Sequence, residues 1–559
     1  MIRSNSSTKR LAIAAVALAI VAAAAFFQLR DQFASPSASD GGLLSAKEEK
    51  PMAEMARIWP TFGGTPSRNM VNSTETGIPT EWEIRKNEEK KNFKWVAKLG
   101  SRAYGGPTIA GGKIFIGTNN ESPRNNRDTD PKKVNVTTKL PQPIDKGVLM
   151  CFRESDGKFL WQHVNDKLES GIVNDWKHEG VCSTPAVDGD RVYYVSNRCA
   201  VVCLDVEGLA NGNQGIQTEK YKDDSDADVV WQYDMMKELN VFPHNMAACS
   251  PVIVGDVIFV VTANGVDEGH INIPSPEAPS FIALDKNTGK LLWKDASPGN
   301  QIMHGQWSNP TYAEIGGQAQ IIFPGGDGWL YAFEPKTGKT LWKFDANPKK
   351  AKKYELGQAG ERSDFIGTPV IYDDKIYIGT GQDPEHYEGV GHLYCINPVG
   401  KTGDISEELV VKENPDTTKR VTKPNPNSGM VWHYGGLDKR EDAKRDFVFG
   451  RTMSTCAIKD GLLYVGELAG YLHCLDAKSG AMHWVHDLKS AIWGSPYWVD
   501  GKVYIGTEDG DVFVFAHGKE KKLLSKVEMD QPVRSTPIAL NGVLYVMTEL
   551  NLFAIQEKK

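Results

Sequence analysis

The chain has 559 residues, of which 40% are hydrophobic and 24% are charged. This is the composition of an ordinary globular protein with enough chain to bury a large core. The net charge of −7 gives no indication of nucleic-acid binding.

The N-terminus has the pattern of an export signal. Arg3, Lys9 and Arg10 precede an unbroken apolar run over residues 11–27, as in a secretory signal. The run is at the lower limit of length for a membrane span. Residues 1–27 are therefore interpreted as a signal peptide or as a signal anchor, and both stay open. Residues 28–58 are polar and predict a flexible linker. The remainder is expected to be extracytoplasmic, periplasmic or secreted, with residues 11–27 as a candidate tether to the inner membrane.

A repeat follows along the rest of the chain. Two small residues, usually with a proline, precede two period-2 apolar stretches that a tight glycine turn joins, as in "STPAVDGDRVYYVS". This pattern predicts a β-hairpin. Eight copies start near residues 105, 183, 249, 308, 367, 454, 494 and 535.

Each copy continues with a third strand, a glycine turn and a fourth strand that ends on tryptophan, as in "AFEPKTGKTLW". Four antiparallel strands per repeat are typical of a propeller blade. Tryptophans at this position are predicted to pack structurally between blades. They are Trp95, Trp161, Trp231, Trp293, Trp342, Trp432 and Trp484.

The eighth copy lacks its fourth strand, whereas a spare strand, "NFKWVAKLG", precedes the first copy. The sequence therefore predicts an all-β, eight-bladed β-propeller over residues 59–559, in which residues 59–104 close the last blade. Such closure removes the exposed sheet edges.

The Ala-x-Asp-x-x-Thr-Gly-x-x-Leu-Trp motif resembles the tryptophan-docking motif of the PQQ-like eight-bladed propellers. That family includes quinoprotein alcohol dehydrogenases and the propeller lipoprotein of outer-membrane protein assembly. The resemblance covers roughly residues 59 to 556 and implies the fold, because enzymes and scaffolds share the motif. It also implies PQQ with Ca²⁺ as the candidate cofactor. The chain lacks the adjacent cysteine pair typical of the dehydrogenases, and it has no C-x-x-C-H haem motif.

The eight cysteines fall at repeat positions. Cys151, Cys203, Cys395 and Cys474 share one third-strand position that is alanine or valine in the other blades, which predicts buried thiols in separate blades. Cys182 and Cys199 lie at the same end of blade 2, so a disulfide between them stays open.

One face of the propeller is predicted to carry the function. Six insertions share it, over residues 119–147, 162–180, 264–280, 345–364, 382–391 and 434–450. Long loops on a rigid scaffold are where binding sites concentrate. The same face opens onto a central funnel, toward which the residue before each small-residue pair is expected to point: Tyr104, Cys182, Ala248, Trp307, Ile366, Met453, Trp493 and Arg534.

In this funnel Trp307 and Trp493 are candidates to enclose a planar or sugar ring, and Arg451 and Arg534 are candidates to hold carboxylates. If PQQ binds, Glu179, Asn245 and Asp364 are the candidate calcium ligands. An alternative metal site would use three loop histidines, His178, His244 and His304.

Two functions remain in competition. One is a noncatalytic binding platform of the cell envelope for a protein, peptide or glycan. The other is a PQQ-dependent dehydrogenase of an alcohol or sugar, in which the cofactor supplies the redox chemistry. The catalytic residues of such an enzyme are unknown from the sequence.

Overall fold

The computed structural model describes residues 58–84, 91–352, 360–382, 389–436 and 447–557. The predicted signal segment, residues 1–27, and residues 28–57 of the predicted linker lie outside these ranges. Among the described residues no helix is both long enough and apolar enough to cross a membrane. The α-helix that they contain, Met235–Leu239, is one short turn after blade 2.

Eight antiparallel sheets confirm the predicted eight-bladed propeller. The strands of the first four blades, in chain order, are Thr108–Ala110, Lys113–Asn119, Lys146–Arg153 and Phe159–Asp166; Ala186–Asp188, Arg191–Val195, Ala200–Asp205 and Val229–Asp234; Val252–Val254, Val257–Val261, Phe281–Asp285 and Leu291–Asp295; and Thr311–Ile315, Gln318–Pro324, Trp329–Phe333 and Thr340–Asp345.

Blades 5 to 7 follow the same plan. Their strands are Val370–Tyr372, Lys375–Gly379, His392–Ile396 and Met430–Gly435; Ala457–Lys459, Leu462–Gly466, Tyr471–Asp476 and Met482–Asp487; and Tyr497–Val499, Lys502–Gly506, Asp511–Ala516 and Leu523–Glu528.

Blade 8 is closed by the N-terminal strand, as the sequence predicts. Ile538–Leu540, Val543–Met547 and Asn551–Ile555 come from the C-terminal repeat. Phe93–Lys98 pairs antiparallel with Asn551–Ile555 as the fourth strand. The ring of blades is thereby complete.

Short additional strands decorate the ring. Two hairpins form within insertions, Thr129–Val134 with Pro141–Pro143 and Glu408–Lys412 with Val421–Pro424. Two-residue strands extend the edges of two blades, Gly403–Asp404 beside blade 4 and Val71–Asn72 beside blade 7. Short 3-10 turns are Asn126–Asp128, Gly208–Asn211, Gly299–Gln301 and Thr417–Lys419.

The third and fourth strands have one register in every blade. A small third-strand residue lies opposite the fourth-strand tryptophan in seven blades, and the pairs are Cys151–Trp161, Cys203–Trp231, Ala283–Trp293, Ala332–Trp342, Cys395–Trp432, Cys474–Trp484 and Ala554–Trp95. In blade 7, Val514 lies opposite Ser525 instead. All eight cysteines of the chain are buried free thiols, Cys182 and Cys199 included.

Five docking tryptophans pack against a glycine in a turn of the following blade: Trp95, Trp161, Trp231, Trp293 and Trp432. In the case of Trp231, the indole N–H donates to the carbonyl oxygen of Lys286 (3.0 Å). A Cβ added to Gly289 would lie 2.6 Å from the Trp231 ring, so only glycine admits the indole here. Trp342 differs, because its N–H donates to Gln320 of its own blade (2.7 Å). The blade 5 insertion supplies Gly403 beside it in place of a glycine turn.

The segment Trp59–Asn72, here called the plug, contacts all eight blades from inside the ring. It reaches the first strand of each blade, or the residue next to that strand, through the pairs Trp59–Ile109, Pro60–Val187, Arg68–Pro251, Pro66–Tyr312, Ser67–Ile371, Asn69–Ile458, Met70–Trp498 and Asn72–Ala539. The plug therefore crosses the central channel and ties the inner strands together.

Candidate functional site

A central cavity lies where the first strands of the blades begin. Its volume is about 300 Å³, and Phe62 of the plug contributes to its wall. Each blade contributes the residue that precedes its small-residue pair, so the eight predicted funnel residues all line the cavity: Tyr104, Cys182, Ala248, Trp307, Ile366, Met453, Trp493 and Arg534. They meet here because the repeat places the same backbone position of every blade next to the axis.

Arg534 is held in a network of carboxylates. Its Nε lies 2.7 Å and its Nη2 2.5 Å from the two carboxylate oxygens of Glu508, a bidentate pair. Its Nη1 donates to Glu549, which also accepts from Arg102 (2.6 Å). Burial disfavours the charged guanidinium, but the hydrogen bonds and charges of the carboxylates outweigh it and raise the pKa of Arg534. The positive charge of this side chain is therefore already neutralised.

Tyr104 and Trp493 form an aromatic wall next to this network. Their rings are stacked with centroids 5.8 Å apart, and the guanidinium carbon of Arg534 lies 4.8 Å from the Trp493 ring centroid. Burial and the nearby Glu179 raise the pKa of the Tyr104 phenol, so it is neutral at physiological pH. Much of the flat surface of Trp493 is thus occupied by side chains of the protein itself.

Trp307 stands across the ring of blades from this wall. Its indole N–H lies 3.2 Å from the carbonyl oxygens of both His244 and Met246. A Cβ at residue 305 would overlap the indole, at 2.3 Å, so Gly305 lets the ring lie against the backbone. Trp307 is consequently fixed in orientation, with one part facing the cavity.

The other predicted ligand-binding residues divide into two groups. Glu179 and Asn245 line the cavity, whereas Arg451 and Asp364 do not. The guanidinium of Arg451 packs against Gly389, where a side chain would otherwise lie, and the backbone of Asp364 forms a β-bridge with Gly381. The structure therefore brings together two of the three proposed calcium ligands and one of the two proposed carboxylate-binding arginines.

The histidines are arranged differently from the sequence-based grouping. His178 is exposed beside Glu121, with Nδ1 3.3 Å from the carboxylate. His244 and His304 instead converge with His270, and their ligand atoms lie within 4.8 Å of one another. The sequence offered no signal for His270, because it lies in an insertion and has no fixed spacing from the others.

The charged groups of the cavity wall match PQQ poorly. A planar tricarboxylate needs cationic or hydrogen-bond-donating partners. Arg534 is the arginine among the lining residues, and Glu508 and Glu549 already pair with it. Glu179 adds a further carboxylate to the wall, and Cys182 is the cysteine there, without an adjacent partner cysteine.

Relatives of the chain include both enzymes and an assembly factor. Polyvinylalcohol dehydrogenase of Sphingopyxis sp. is 27% identical over 41% of this chain and 38% of its own length. Tetrathionate hydrolase of Acidithiobacillus ferrooxidans is 22% identical over 55% of each chain. Outer membrane protein assembly factor BamB of Xanthomonas campestris is 24% identical over 63% of this chain and 85% of its own length. The chain thus spans about half or less of the length of the two enzymes.

Solved structures agree with the fold. Quinohemoprotein alcohol dehydrogenase from Comamonas testosteroni superposes with a TM-score of 0.55 at 11% identity, over 90% of this chain and 81% of its own. A family profile described as outer membrane protein assembly factor BamB matches residues 145–399 and 418–558. Since these ranges make up more than half of the chain, the protein belongs to this BamB-type family of PQQ-like propellers.

Proposed function

We propose that the protein is a noncatalytic, extracytoplasmic binding platform whose cavity-bearing face docks a segment of an envelope protein. The observation that carries this proposal is the hairpin of Thr129–Val134 and Pro141–Pro143, here called the apolar hairpin. Val136 is 82% exposed at its tip, Leu140 is 64% exposed and Val134 is 49% exposed. Exposed apolar side chains grouped in this way are typical of an interaction site.

The position of the apolar hairpin supports this function. It lies between the second and third strands of blade 1, at the end of the blade where the cavity opens. Ile271, in the corresponding insertion of blade 3, is 71% exposed on the same face. A partner that covers the cavity would meet both insertions.

The charge of the apolar hairpin defines the chemistry of the partner. Lys132, Lys133 and Lys139 are all exposed, and the acidic side chain within residues 129–143 is Asp130, 3.8 Å from Lys133. The expected partner is therefore a polypeptide segment with apolar residues flanked by acidic ones. Electrostatic complementarity of this kind favours the encounter and the register of binding.

The names of the relatives support both the binding platform and the dehydrogenase. The assembly factor from Xanthomonas supports a role with outer-membrane proteins, and the polyvinylalcohol and quinone-dependent alcohol dehydrogenases support an oxidoreductase. The carboxylate network around Arg534 opposes PQQ binding, and for that reason we favour the platform. Residues 1–27 would deliver the chain to the periplasm, either as a cleaved signal or as a membrane tether.

Site-specific photo-crosslinking in intact cells tests the docking face. A photoreactive amino acid is placed at Val136 or Leu140 and, as a matched control, at Val411, which is 51% exposed. Val411 lies in the hairpin between the third and fourth strands of blade 5, at the end of the blade opposite the cavity mouth. We expect one defined envelope protein to crosslink from 136 and 140 but not from 411. The double variant Val136→Asp/Leu140→Asp should then weaken binding of that purified partner at least tenfold. Equal crosslinking from both faces would contradict the proposal.

A second experiment tests the dehydrogenase alternative. Purified protein is mixed with PQQ and Ca²⁺, and the tryptophan fluorescence, the thermal stability and dye reduction with alcohols and aldoses are followed. We expect no stabilisation at micromolar PQQ, since a ligand that binds the native state raises its stability. Saturable PQQ binding with substrate-dependent dye reduction would replace the platform by the enzyme.

A further inference from the structure

Three histidine side chains meet beside the cavity, and their Nε2 atoms point at one another. Nε2 of His270 lies 3.1 Å from Nε2 of His244 and 3.2 Å from Nε2 of His304. The three ring centroids are 4.4 to 4.8 Å apart. Imidazole nitrogens bound to one tetrahedral zinc ion, at about 2.0–2.1 Å each, are separated by about 3.3 Å. The two separations from His270 are close to this value, and all three ligand atoms lie within 4.8 Å of one another.

The hydrogen bond of the second ring nitrogen fixes the tautomer of His244. Nδ1 of His244 lies 2.9 Å from the carbonyl oxygen of Val266. That oxygen can only accept, so Nδ1 carries the proton and Nε2 of His244 presents a lone pair. Nε2 of His270 can then donate to His244 or accept from His304, but it cannot do both. A cation at the centre would accept all three converging lone pairs at once.

The carbonyl of Val266 also has the position expected of a supporting residue. Metal-binding histidines usually donate their second ring N–H to a carbonyl or carboxylate, which fixes the tautomer and the ring orientation. The backbone N–H of Val266 in turn donates to the carbonyl oxygen of His304 (3.1 Å). One residue thus connects two of the three histidines.

The backbone holds the three ligands from three separate segments. The N–H of His244 donates to Ala263, and that of Gly265 donates to Phe242. A Cβ at Gly265 would lie 2.6 Å from the His244 Cβ. His270 is held in a turn, because Asp267 Oδ1 accepts the N–H of Ile271 (2.8 Å). The ligands are therefore positioned before any ion arrives.

Three non-glycine residues at the histidine cluster have a left-handed backbone conformation. Asn245, Ala263 and His270 have φ values of 60°, 70° and 52°. Residues other than glycine rarely adopt this left-handed conformation, and such strain concentrates at functional sites. His270 belongs to the histidine cluster, Asn245 follows His244, and the carbonyl of Ala263 accepts the N–H of His244.

The environment selects the class of ion. The cluster consists of three histidines without a carboxylate or thiolate among the grouped ligands. His244 and His304 are 1% and 4% exposed, whereas His270 is partly open to solvent. Three imidazoles with an open fourth position suit zinc or copper and disfavour calcium or magnesium, which prefer oxygen ligands.

We propose that His244, His270 and His304 bind one divalent transition-metal ion, zinc, through their Nε2 atoms. The fourth position opens on the side of His270. The Trp307 ring, centred 5.1 Å from that of His304, forms a shared wall between this metal site and the central cavity. The site is independent of the proposed docking function, because it needs neither the apolar hairpin nor a partner.

Metal titration of the tag-free, chelator-treated full chain tests the site. Calorimetry with Zn²⁺ should show one high-affinity site per chain, and Co²⁺ should produce the visible bands of tetrahedral coordination. His270→Ala and His304→Ala should each weaken zinc binding at least 100-fold. They should also abolish the rise in melting temperature on addition of zinc. His178→Ala is the matched control, since His178 is exposed and outside the cluster, and it should bind zinc as the wild type does.

Two results would overturn the proposal. The first is the absence of stoichiometric zinc binding at micromolar concentration. The second is unchanged binding by His270→Ala when its circular dichroism and metal-free melting temperature match those of the wild type. One-to-one binding of Cu²⁺ without competition from Zn²⁺ would refute the assignment to zinc.

Discussion

Nε of Arg68 donates a hydrogen bond of 3.0 Å to the carbonyl oxygen of Pro310, 242 residues further along the chain. Nη2 of the same side chain reaches the carbonyl oxygens of Ser250 and Pro251, at 3.0 Å each. Burial lowers the pKa of Arg68 to about 10, so the guanidinium is still charged at neutral pH. One buried cation of the plug thus connects blades 3 and 4 from the inside.

Replacement of Arg68 should destabilise the whole ring. Arg68→Met removes the donors for three carbonyls of the blades and for two oxygens within the plug, Thr61 Oγ1 and the Phe62 carbonyl. Buried acceptors without partners cost about 1–3 kcal/mol each, so we expect a loss of about 3 kcal/mol or more. Denaturant unfolding followed by fluorescence measures this loss of stability.

Arg153→Met is the control. It removes a half-exposed surface ion pair with Asp156 and should change stability by no more than about 0.5 kcal/mol. Equal effects of the two substitutions would remove the central role assigned to the plug.

Substitutions at two glycines of blade 3 measure the effect of the tryptophan contact apart from the backbone strain of the turn. Gly289 and Gly255 both have positive φ, 69° and 58°. A Cβ would meet the Trp231 ring only at Gly289, and nothing lies within 4 Å at Gly255. Gly255→Ala should therefore cost about 1–2 kcal/mol, the strain of the left-handed conformation. Gly289→Ala should cost about 1–3 kcal/mol more from overpacking. Matching unfolding midpoints for the two variants would mean that a Cβ fits beside the Trp231 ring without overpacking.

Asp327 should make stability depend on pH between about 4 and 6. Burial raises the pKa of Asp327 to about 6, although its carboxylate accepts from Tyr331 Oη (2.6 Å). Asp345 and Arg362 are the charged groups that act on it. Since its pKa in the unfolded chain is about 3.9, the folded state favours the protonated form. This contribution to stability is complete below about pH 4 and is lost as the pH rises through about 6.

The variant Asp327→Asn keeps a neutral side chain at every pH. It should match the wild type near pH 4 and exceed its stability by roughly 2–3 kcal/mol near pH 7, because one pKa unit corresponds to about 1.4 kcal/mol. Asp285→Asn serves as the control of opposite sign. Hydrogen bonds from Thr288 lower the pKa of the partly exposed Asp285, so this variant should be less stable than the wild type above about pH 4 and should approach it as the pH falls below 4. A constant difference between Asp327→Asn and the wild type from pH 4 to 7 would rule out the buried carboxylate as its source.

Release of Arg534 should create an anion site that the wild type lacks. In Glu508→Gln/Glu549→Gln the guanidinium keeps its place beside Trp493 and loses both carboxylate partners. We expect the variant to bind PQQ at least tenfold more tightly than the wild type, measured by quenching of tryptophan fluorescence. If the double variant also lacks affinity for PQQ, the ion pairs are not what excludes this ligand.

The repeat made most of the fold predictable from the sequence. The alternation of apolar residues and the glycine turns define each blade. In seven blades the third strand carries a small residue at one fixed position, and the fourth strand carries a docking tryptophan opposite it. Because symmetry relates these positions, one alignment places Tyr104, Trp307 and Arg534 around the axis without any knowledge of distances. Counting four strands per repeat also predicts that Phe93–Lys98 supplies the strand missing from the eighth repeat.

The features outside the repeat were not predictable. Arg68 and Pro310 are far apart in sequence and share no pattern, so nothing in the sequence predicts their contact. His270 lies in an insertion whose path depends on the Asp267 turn. Arg451 also lies outside the repeated strands, and the structure places its guanidinium under Gly389 rather than toward the cavity. Local periodicity determines strands, whereas the path of an irregular loop depends on contacts that only the complete fold supplies.

The pairing of Phe93–Lys98 with Asn551–Ile555 also has a kinetic consequence. The strand that is synthesised early must wait, unpaired, until the last strand of blade 8 is available. Contacts of such large sequence separation form slowly, because loop closure costs entropy before any pairing compensates it. Until then two sheet edges remain open to other chains. The time between synthesis and ring closure is therefore the stage at which this protein is most exposed to aggregation and proteolysis. Substitutions in either strand should act first on the yield of folded protein.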